Sequence, residues 1–529
     1  MSRLLKHAGA ALCVALISST FSPAEAHGQD RSFSEVGYEL ENRPDSVFDF
    51  SGYFRTRGEL LHNLDLNRGL TPSGQPLFPT PLSGGNTFQN ADMRLRTDLA
   101  AHSPVGAAAV KMRVDVIDNL ALGSTPEGPP QTTLTQAPIQ TMNIRRVYAE
   151  ALTPVGFLSV GRMGSHWGLG MLTHGGDDLD SDSGDAADRI AFVTPLAGHI
   201  WALAYDNSFA GPQTPRRDGR RTLDIDPTDD VRGLTFAVMR YRTPSSIDRR
   251  RAAGMTTIDY GAYFSTRWQE NDVPAHYVPT ARPPQLDSSQ VVFRGLRANA
   301  VDGWLRMHFP IARVELELAV LQANIAQASV VPGVQYREPL ESLQIGGALE
   351  TEMRGPEWPV SFGINAGFAS GDPAPGFGAF PGPYDSPAEP GDLDGPQANP
   401  PYDNRVDNFR FHPDYHVDRI LFREIIGTIT DAAYLRPHIT WHVGQWGPGL
   451  LRASLAGVGS TAMYAESTPG GKRPLGIELN PTLEYESYGH FSVALKHGVL
   501  FPLSGLDNPE EGLMARPAQM LQLRLAIGF

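Results

Sequence analysis

Two sets of residues in this 529-residue chain have types and spacing suited to chemistry. The first is an acidic run of Asp177, Asp178, Asp180, Asp182 and Asp185. Hard divalent cations take carboxylate oxygens, so the run offers a cation site. The other reading is an acidic outer loop that is only solvated. It misses the EF-hand pattern, because Gly184 falls one place late after Asp178, Asp180 and Asp182. His166, His174 and His199 are not at a metal-ligand spacing. The second set is charge repeated at every other residue. Basic groups come early: Arg55, Arg57, Arg94, Arg96, Lys111 and Arg113, with Arg146 after them. Acidic groups come late: Glu315, Glu317, Glu350, Glu352, Glu478, Glu484 and Glu486. No Gly-x-Ser-x-Gly, phosphate loop or dinucleotide fingerprint accompanies either set. Neither an enzyme nor a cofactor is expected.

The spacing of those charges identifies the elements that carry them. From Phe48 to Leu60, Phe48, Phe50, Phe54 and Leu60 share one face, while Asp49, Arg55, Arg57 and Glu59 share the other. Side chains alternate across a strand, so this is a strand with an apolar and a charged face. Ala91–Leu99, Val110–Val116, Leu316–Val320 and Ile477–Tyr485 repeat the pattern. Helical periodicity is absent from almost the whole chain.

A soluble sandwich buries the apolar face, whereas a membrane barrel turns it toward lipid. Three features decide for the barrel. The segments are long enough to cross a bilayer when tilted, which takes roughly 9–11 residues. Short Pro/Gly turns, such as 103–106, 153–156, 195–198, 355–359, 444–449 and 488–489, alternate with long polar loops. The long loops fall near 64–87, 119–140, 164–187, 210–230, 269–290, 323–341, 370–430, 462–475 and 503–517. Finally, Leu521, Leu523, Leu525, Ile527 and Phe529 alternate to an aromatic last residue, the form of the signal read by the barrel-assembly machinery. The expectation is an all-β, antiparallel transmembrane barrel of about 18 strands (16–18), with both termini periplasmic.

Residues 1–26 have the layout of a cleavable signal peptide: Arg3 and Lys6, an apolar run from Ala8, then Ala-x-Ala ending at Ala26. Residues 27–46 read as a periplasmic N-terminal segment and 47–529 as the barrel. Cleavage leaves 42 basic and 57 acidic residues and removes Cys13, the one cysteine. A net charge of −14 for the full chain argues against nucleic acid. The expected location is the outer membrane of a Gram-negative bacterium, among its lipid and lipopolysaccharide.

Val160-Gly-Arg-Met-Gly-Ser-His-Trp-Gly-Leu-Gly170, the run 177–185 with Asp188-Arg-Ile-Ala-Phe192, and His412–Gly427 resemble a family of uncharacterised outer-membrane barrels from myxobacteria and related bacteria. The Gly-Arg strand, Gly-rich loop and Asp-Arg strand start are more distantly similar to alginate-export barrels and porins. The resemblance implies an outer-membrane barrel and no particular substrate.

Charge on the lipid face of a barrel costs about 2–4 kcal/mol for Arg at the midplane, so the charged faces line the lumen. The first three strands should face strands ten to twelve, setting a basic wall against an acidic one. Such walls orient polar solutes, or they are cross-strand salt bridges that stiffen the barrel. The 370–430 loop opens with nine Pro and six Gly between Gly371 and Pro401. Val417, Ile420, Leu421 and Ile425 then recur at helical spacing, with Asp414 as N-cap and Gly427 as the stop. This short helix would cover the mouth, fold into the lumen or pack on neighbouring loops. The leading function is a channel for polar solutes or polymers, anionic ones included. A plugged structural or surface-binding barrel is the alternative, and an outer-membrane hydrolase a distant third.

Overall fold

The structure, a computed structural model, describes Phe33, Val36 and residues 47–82, 84–104, 106–123, 142–274, 287–329, 331–335, 337–355, 358–380, 388–395 and 403–529. Residues 1–26, read from the sequence as a signal peptide, lie outside these.

Eighteen strands form one closed antiparallel sheet. They are β1 (Phe48–His62), β2 (Thr87–His102), β3 (Ala108–Ala121), β4 (Asn143–Thr153), β5 (Gly156–Gly164), β6 (Ala186–Leu196) and β7 (His199–Phe209). A small hairpin of β8 (Gln213–Pro215) and β9 (Thr222–Asp224) stands in the next loop. The wall resumes with β10 (Val231–Arg240), β11 (Thr257–Asp272), β12 (Val292–His308), β13 (Ala312–Ile325), β14 (Leu340–Met353) and β15 (Val360–Ala369). It ends with β16 (Ala432–Trp446), β17 (Gly449–Ala462), β18 (Pro474–Ser487), β19 (Phe491–Pro502) and β20 (Ala518–Gly528). Strand β20 pairs back onto β1, Leu60 opposite Leu521 and Tyr53 opposite Gly528, so no edge is left open. Phe529 completes the seam. Its backbone exchanges hydrogen bonds of 2.9 and 3.0 Å with Gly52, and its ring lies 5.4 Å from Phe50.

The strand ends that border the nine long loops lie at the same end of the barrel. The opposite end carries tight turns, except at 241–256, where a helix not foreseen from the sequence forms, α1 (Pro244–Ala252). Proline at its start and Arg249, Arg250 and Arg251 in its last turn suit both helix ends. Arg251 donates to Pro310 O and Arg354 O, tying three turns together.

The apolar faces point outward. Phe48 is 76% exposed and Ile527 52%, with Leu203, Phe236, Val301, Leu435 and Leu483 among many others. At about 25 cal/mol per Å², an uninterrupted band of this kind belongs in lipid, not water.

The lumen is filled on two sides. One cluster packs the loop residues Leu64, Leu66, Phe377, Phe409, Phe411, Ile420 and Leu421 against inward Ala348, Ala432, Leu500 and Met520 near the long-loop end. The other gathers Trp167 with inward Phe157, Ala191, Ala202, Ala204, Ala237 and Met239. Phe33 and Val36 belong to this second cluster and are 3% and 7% exposed. At these two residues the N-terminal segment packs against lumen-facing side chains.

Candidate functional site

Alternation places Arg55, Arg57, Arg94, Arg96, Lys111, Arg113 and Arg146 on the inner face of β1–β4. Buried charges require partners, and many come from the adjacent strand. Arg57 Nε donates to Asp92 at 3.0 Å. Arg96 forms a fork with Asp115 at 2.7 and 3.0 Å, and Arg113 another with Asp98 at 2.6 and 3.0 Å. Lys111 meets Glu150 at 3.2 Å. A bulge between β3 and β4 leaves Arg145 without a partner in register, and it too turns inward, toward Asp115 at 2.8 Å and Asp118. Strict alternation would have put Arg145 in lipid, so the sequence reading missed it. Two consecutive arginines on a membrane strand are the signal for such a bulge.

The remaining partners come from the β5–β6 loop, which folds into the lumen instead of standing outside. Its carbonyl groups and carboxylates face the arginines. Gly175 O accepts from Arg146, Gly176 O from Arg96, Leu179 O from Arg55 and Ser181 O from Arg94, at 2.5–2.7 Å. Asp182 takes two 2.9 Å bonds from Arg57. Asp177 pairs with Arg113 and, at 2.9 Å, with Arg146. Asp180 pairs with Lys496 and, at 2.6 Å, with Arg524. Burial alone would raise these carboxyls. The surrounding cations outweigh it: Arg146 and Arg113 hold Asp177 at about 2, Arg57 holds Asp182 at about 2, and Lys496 and Arg524 keep Asp180 far below the usual carboxylate range.

The other side of the same loop presents donors to the acidic strands. Trp167 Nε1 donates to Asp302 at 2.9 Å. The Leu169 and Leu172 N–H groups donate to Glu317, the latter at 3.4 Å. The loop therefore spans the lumen, with acceptors toward β1–β4, β19 and β20 and donors toward β12 and β13.

The β15–β16 loop also enters. Its apolar residues are buried as their spacing suggested, but the helix over 414–427 does not form. One π-helical turn, Leu421–Ile426, takes its place, and Gly427 in the left-handed region ends it. Asp414 does not cap it. Asp414 accepts from the Asp182 and Ser183 N–H groups at 2.9 and 3.1 Å, locking the two loops together, while Asp418 accepts from Phe422 N at 2.7 Å. The Glu478 carboxylate receives the N–H groups of Arg419, Ile420 and Leu421 at 2.7, 3.3 and 3.2 Å. An anion at this position suits the exposed donors that open a helical turn.

Topology divides the acidic set. Glu315, Glu317, Glu350 and Glu352 lie on the eleventh and twelfth barrel strands, β13 and β14, across from the basic wall. Glu315 binds Trp304 Nε1 at 2.7 Å, Glu350 accepts from Tyr415 at 3.3 Å, and Glu352 lies opposite Arg313 in register. Glu478, Glu484 and Glu486 are on β18, which pairs with β17 and β19 and lies three strands from β1 by way of β19 and β20. They flank the basic wall and do not face it: Glu484 meets Arg524 at 3.0 Å, and Glu486 meets Arg452 at 2.8 Å. The run 177–185 also departs from the expectation. Asp177, Asp180 and Asp182 point at different cations, and among the described residues no three of the five aspartates converge on one ion position. The group that does converge is His174, His412 and Asp414.

Clefts run along the inner wall; one of about 230 Å³ is lined by Leu179, Arg452, Glu484 and Glu486 among others, and two more lie along the basic strands. One, of about 290 Å³, lies toward the long-loop end and is lined by Arg96, Arg113, Arg145, Arg146, Arg162 and Asp185 among others. The other, of about 150 Å³, lies toward the tight-turn end and includes Asp98, Lys111, Arg113, Arg146 and Tyr148. Arg113 and Arg146 are common to both.

No known family model matches the chain. No curated protein matches it either. Among solved structures, OccK9 (OpdG) of Pseudomonas aeruginosa is similar at 11% identity and a TM-score of 0.46, over 91% of this chain and 98% of that one. OccK11 (OpdR) of the same organism is similar at 10% and 0.44, over 91% and 96%. A BenF-like porin from Pseudomonas fluorescens is similar at 9% and 0.44, over 91% and 98%.

Proposed function

We propose that the protein is an outer-membrane channel of porin type that passes small anionic solutes along its β2–β5 wall. One observation carries the reading: the two clefts along the basic wall share Arg113 and Arg146. A solute entering from the long-loop end meets Arg145 and Arg96, then the Arg113–Arg146 pair, then Lys111. Planar guanidinium forks suit carboxylate and phosphate, and a row of them gives an anion successive sites weak enough to leave. Asp177 sits between the clefts as a resident counter-ion, so passage requires the solute to exchange with it.

A second reading is the plugged barrel. It is favoured by Arg55, Arg57, Arg94 and Arg96, all of which the loop engages. Single-channel recording of the purified barrel in planar bilayers separates the two. The channel reading expects discrete steps and a reversal potential that favours anions. A silent bilayer, with the protein inserted and folded, selects the plug, and cation preference removes the anion path.

A further inference from the structure

We propose that His174, His412 and Asp414 form a divalent transition-metal site that clamps the two inward loops to each other. One ligand atom from each lies within 4.8 Å of the others. His174 comes from the β5–β6 loop, and His412 and Asp414 from the β15–β16 loop. The side chains are 9%, 8% and 2% exposed. The imidazoles of His174 and His412 stack with centroids 5.4 Å apart, and His174 Nδ1 is 4.0 Å from Asp414 Oδ2.

Proton positions favour coordination through Nδ1. Gly176 N donates to His174 Nδ1 at 3.0 Å, and Asp414 N donates to His412 Nδ1 at 3.1 Å. Both Nδ1 atoms therefore carry lone pairs, and in the neutral rings both protons reside on Nε2. Each Nε2 points to a carboxylate: Asp178 at 3.9 Å from His174 and Asp185 at 3.7 Å from His412. These separations exceed hydrogen-bond length, and an ion that draws the loops together brings each N–H toward the carboxylate with which metal-binding histidines characteristically pair it. An incoming ion replaces the backbone N–H groups at Nδ1 and leaves the Nε2 side free for that pairing. Ligands around a tetrahedral ion at 2.0–2.2 Å stand roughly 3.3–3.5 Å apart, so the loops need to close by about 1 Å.

The surroundings are shaped for these rings. Gly170 has a φ of +81°, and a Cβ there would lie 2.4 Å from His174 and 2.9 Å from His166. The nearby cations are already compensated, Arg146 by Asp177 and Arg423 by Asp182 at 3.5 Å. Two neutral imidazoles and one carboxylate, with a position open, are the donor set of Zn²⁺ and its borderline neighbours, not of Ca²⁺ or Mg²⁺. The inference does not depend on what crosses the channel.

The test is calorimetric titration of Zn²⁺ into chelator-stripped, detergent-folded full-length barrel. One ion per chain is expected, with affinity falling more than about 100-fold in the His174→Ala, His412→Ala double variant while its heat-modifiable mobility stays that of the folded protein. Absence of stoichiometric binding, or unchanged affinity in the double variant, overturns the site. Electron paramagnetic resonance of bound Cu²⁺ on the unaltered protein keeps the test independent of variant folding. Couplings from two imidazole nitrogens support the site, and fewer than two overturn it.

Discussion

Replacing Asp177 by Asn tests the idea that the inward loop is an electrostatic latch. The substitution keeps shape and removes the charge shared by Arg113 and Arg146, whose side chains are 14% and 11% exposed. Burial opposes ionisation of Asp177, and Arg146 and Arg113 nevertheless hold it at about 2 against an ordinary 3.8. At 1.36 kcal/mol per pKa unit, that difference amounts to about 2.5 kcal/mol of stabilisation for the docked loop. Arg113 keeps its fork to Asp98, and Arg146 keeps Gly175 O, so 2.5 kcal/mol is a ceiling. It corresponds to at most about a 60-fold rise in the undocked population. Single-channel recording at neutral pH should show more frequent large-conductance openings in Asp177→Asn than in the parent. Because the docked-state pKa is the lower one, the stabilisation is complete above about pH 4 and lost as pH falls toward 2. Acidifying the parent through that window should reproduce part of the variant's behaviour, with Asp182 contributing over the same range. Folded Asp177→Asn protein with parental opening frequency would refute the latch.

Three further outcomes are expected. Deleting Phe529 removes its ring contact with Phe50 and two backbone bonds to Gly52 across the closing seam, so heat-modifiable protein in the outer membrane should fall; undiminished levels would show that the terminal residue is dispensable for assembly. Deleting residues 403–428 takes Phe409, Phe411, Ile420 and Leu421 out of the cluster at the mouth, and conductance or antibiotic uptake should rise, whereas parental values in a folded variant place the restriction elsewhere. Arg145→Gln should shift reversal potential toward cations more than Arg94→Gln, because the Arg145 side chain is 30% exposed beside a cleft and Arg94 is fully buried under Ser181; the opposite ranking would move the anion path away from β4.

The wall was legible because its rule is local. A residue's face follows from its neighbours two away, so Arg55, Arg57, Arg94 and Arg96 could be placed inward, and the nine long loops separated from the turns, without any knowledge of contacts. What fills the lumen obeys no such rule. Asp182 reaches Arg57 across 125 residues, and Asp414 holds Ser183 across 231. The histidines illustrate the same limit: His174 has no metal-ligand spacing within its own loop, and its partner His412 comes from another. Ring closure also defeats a reading along the chain, since Glu478 is late in sequence yet two strands from β20, next to the basic wall. The spacing of Val417, Ile420, Leu421 and Ile425 correctly marked a buried face, but the backbone N–H groups that a longer helix would spend on itself go to Glu478, and Asp414 is committed to the other loop.

The inward faces differ around the ring in a way that accounts for the route of the β5–β6 loop. On β1–β4 the inner positions include many arginines, which the strands' own carboxylates satisfy only in part and which need further acceptors. On β6, β7 and β10 they are Ala191, Ala202, Ala204 and Ala237, all nearly inaccessible. Alanine lining a water-filled pore would leave an apolar wall wet, and at these positions the space is taken by larger apolar groups, Trp167 and Phe33 among them. On β12 and β13 the inner positions are Asp302 and Glu317, which need donors. Successive stretches of the loop meet the three demands: Trp167 covers the alanines, the Leu169 and Leu172 N–H groups serve Glu317, and the carbonyls of Gly175, Gly176, Leu179 and Ser181 serve the arginines. In this lumen the alternation rule therefore specifies more than a pore lining: the sequence of inner faces, acceptor-seeking, small, then donor-seeking, is the template onto which the loop docks.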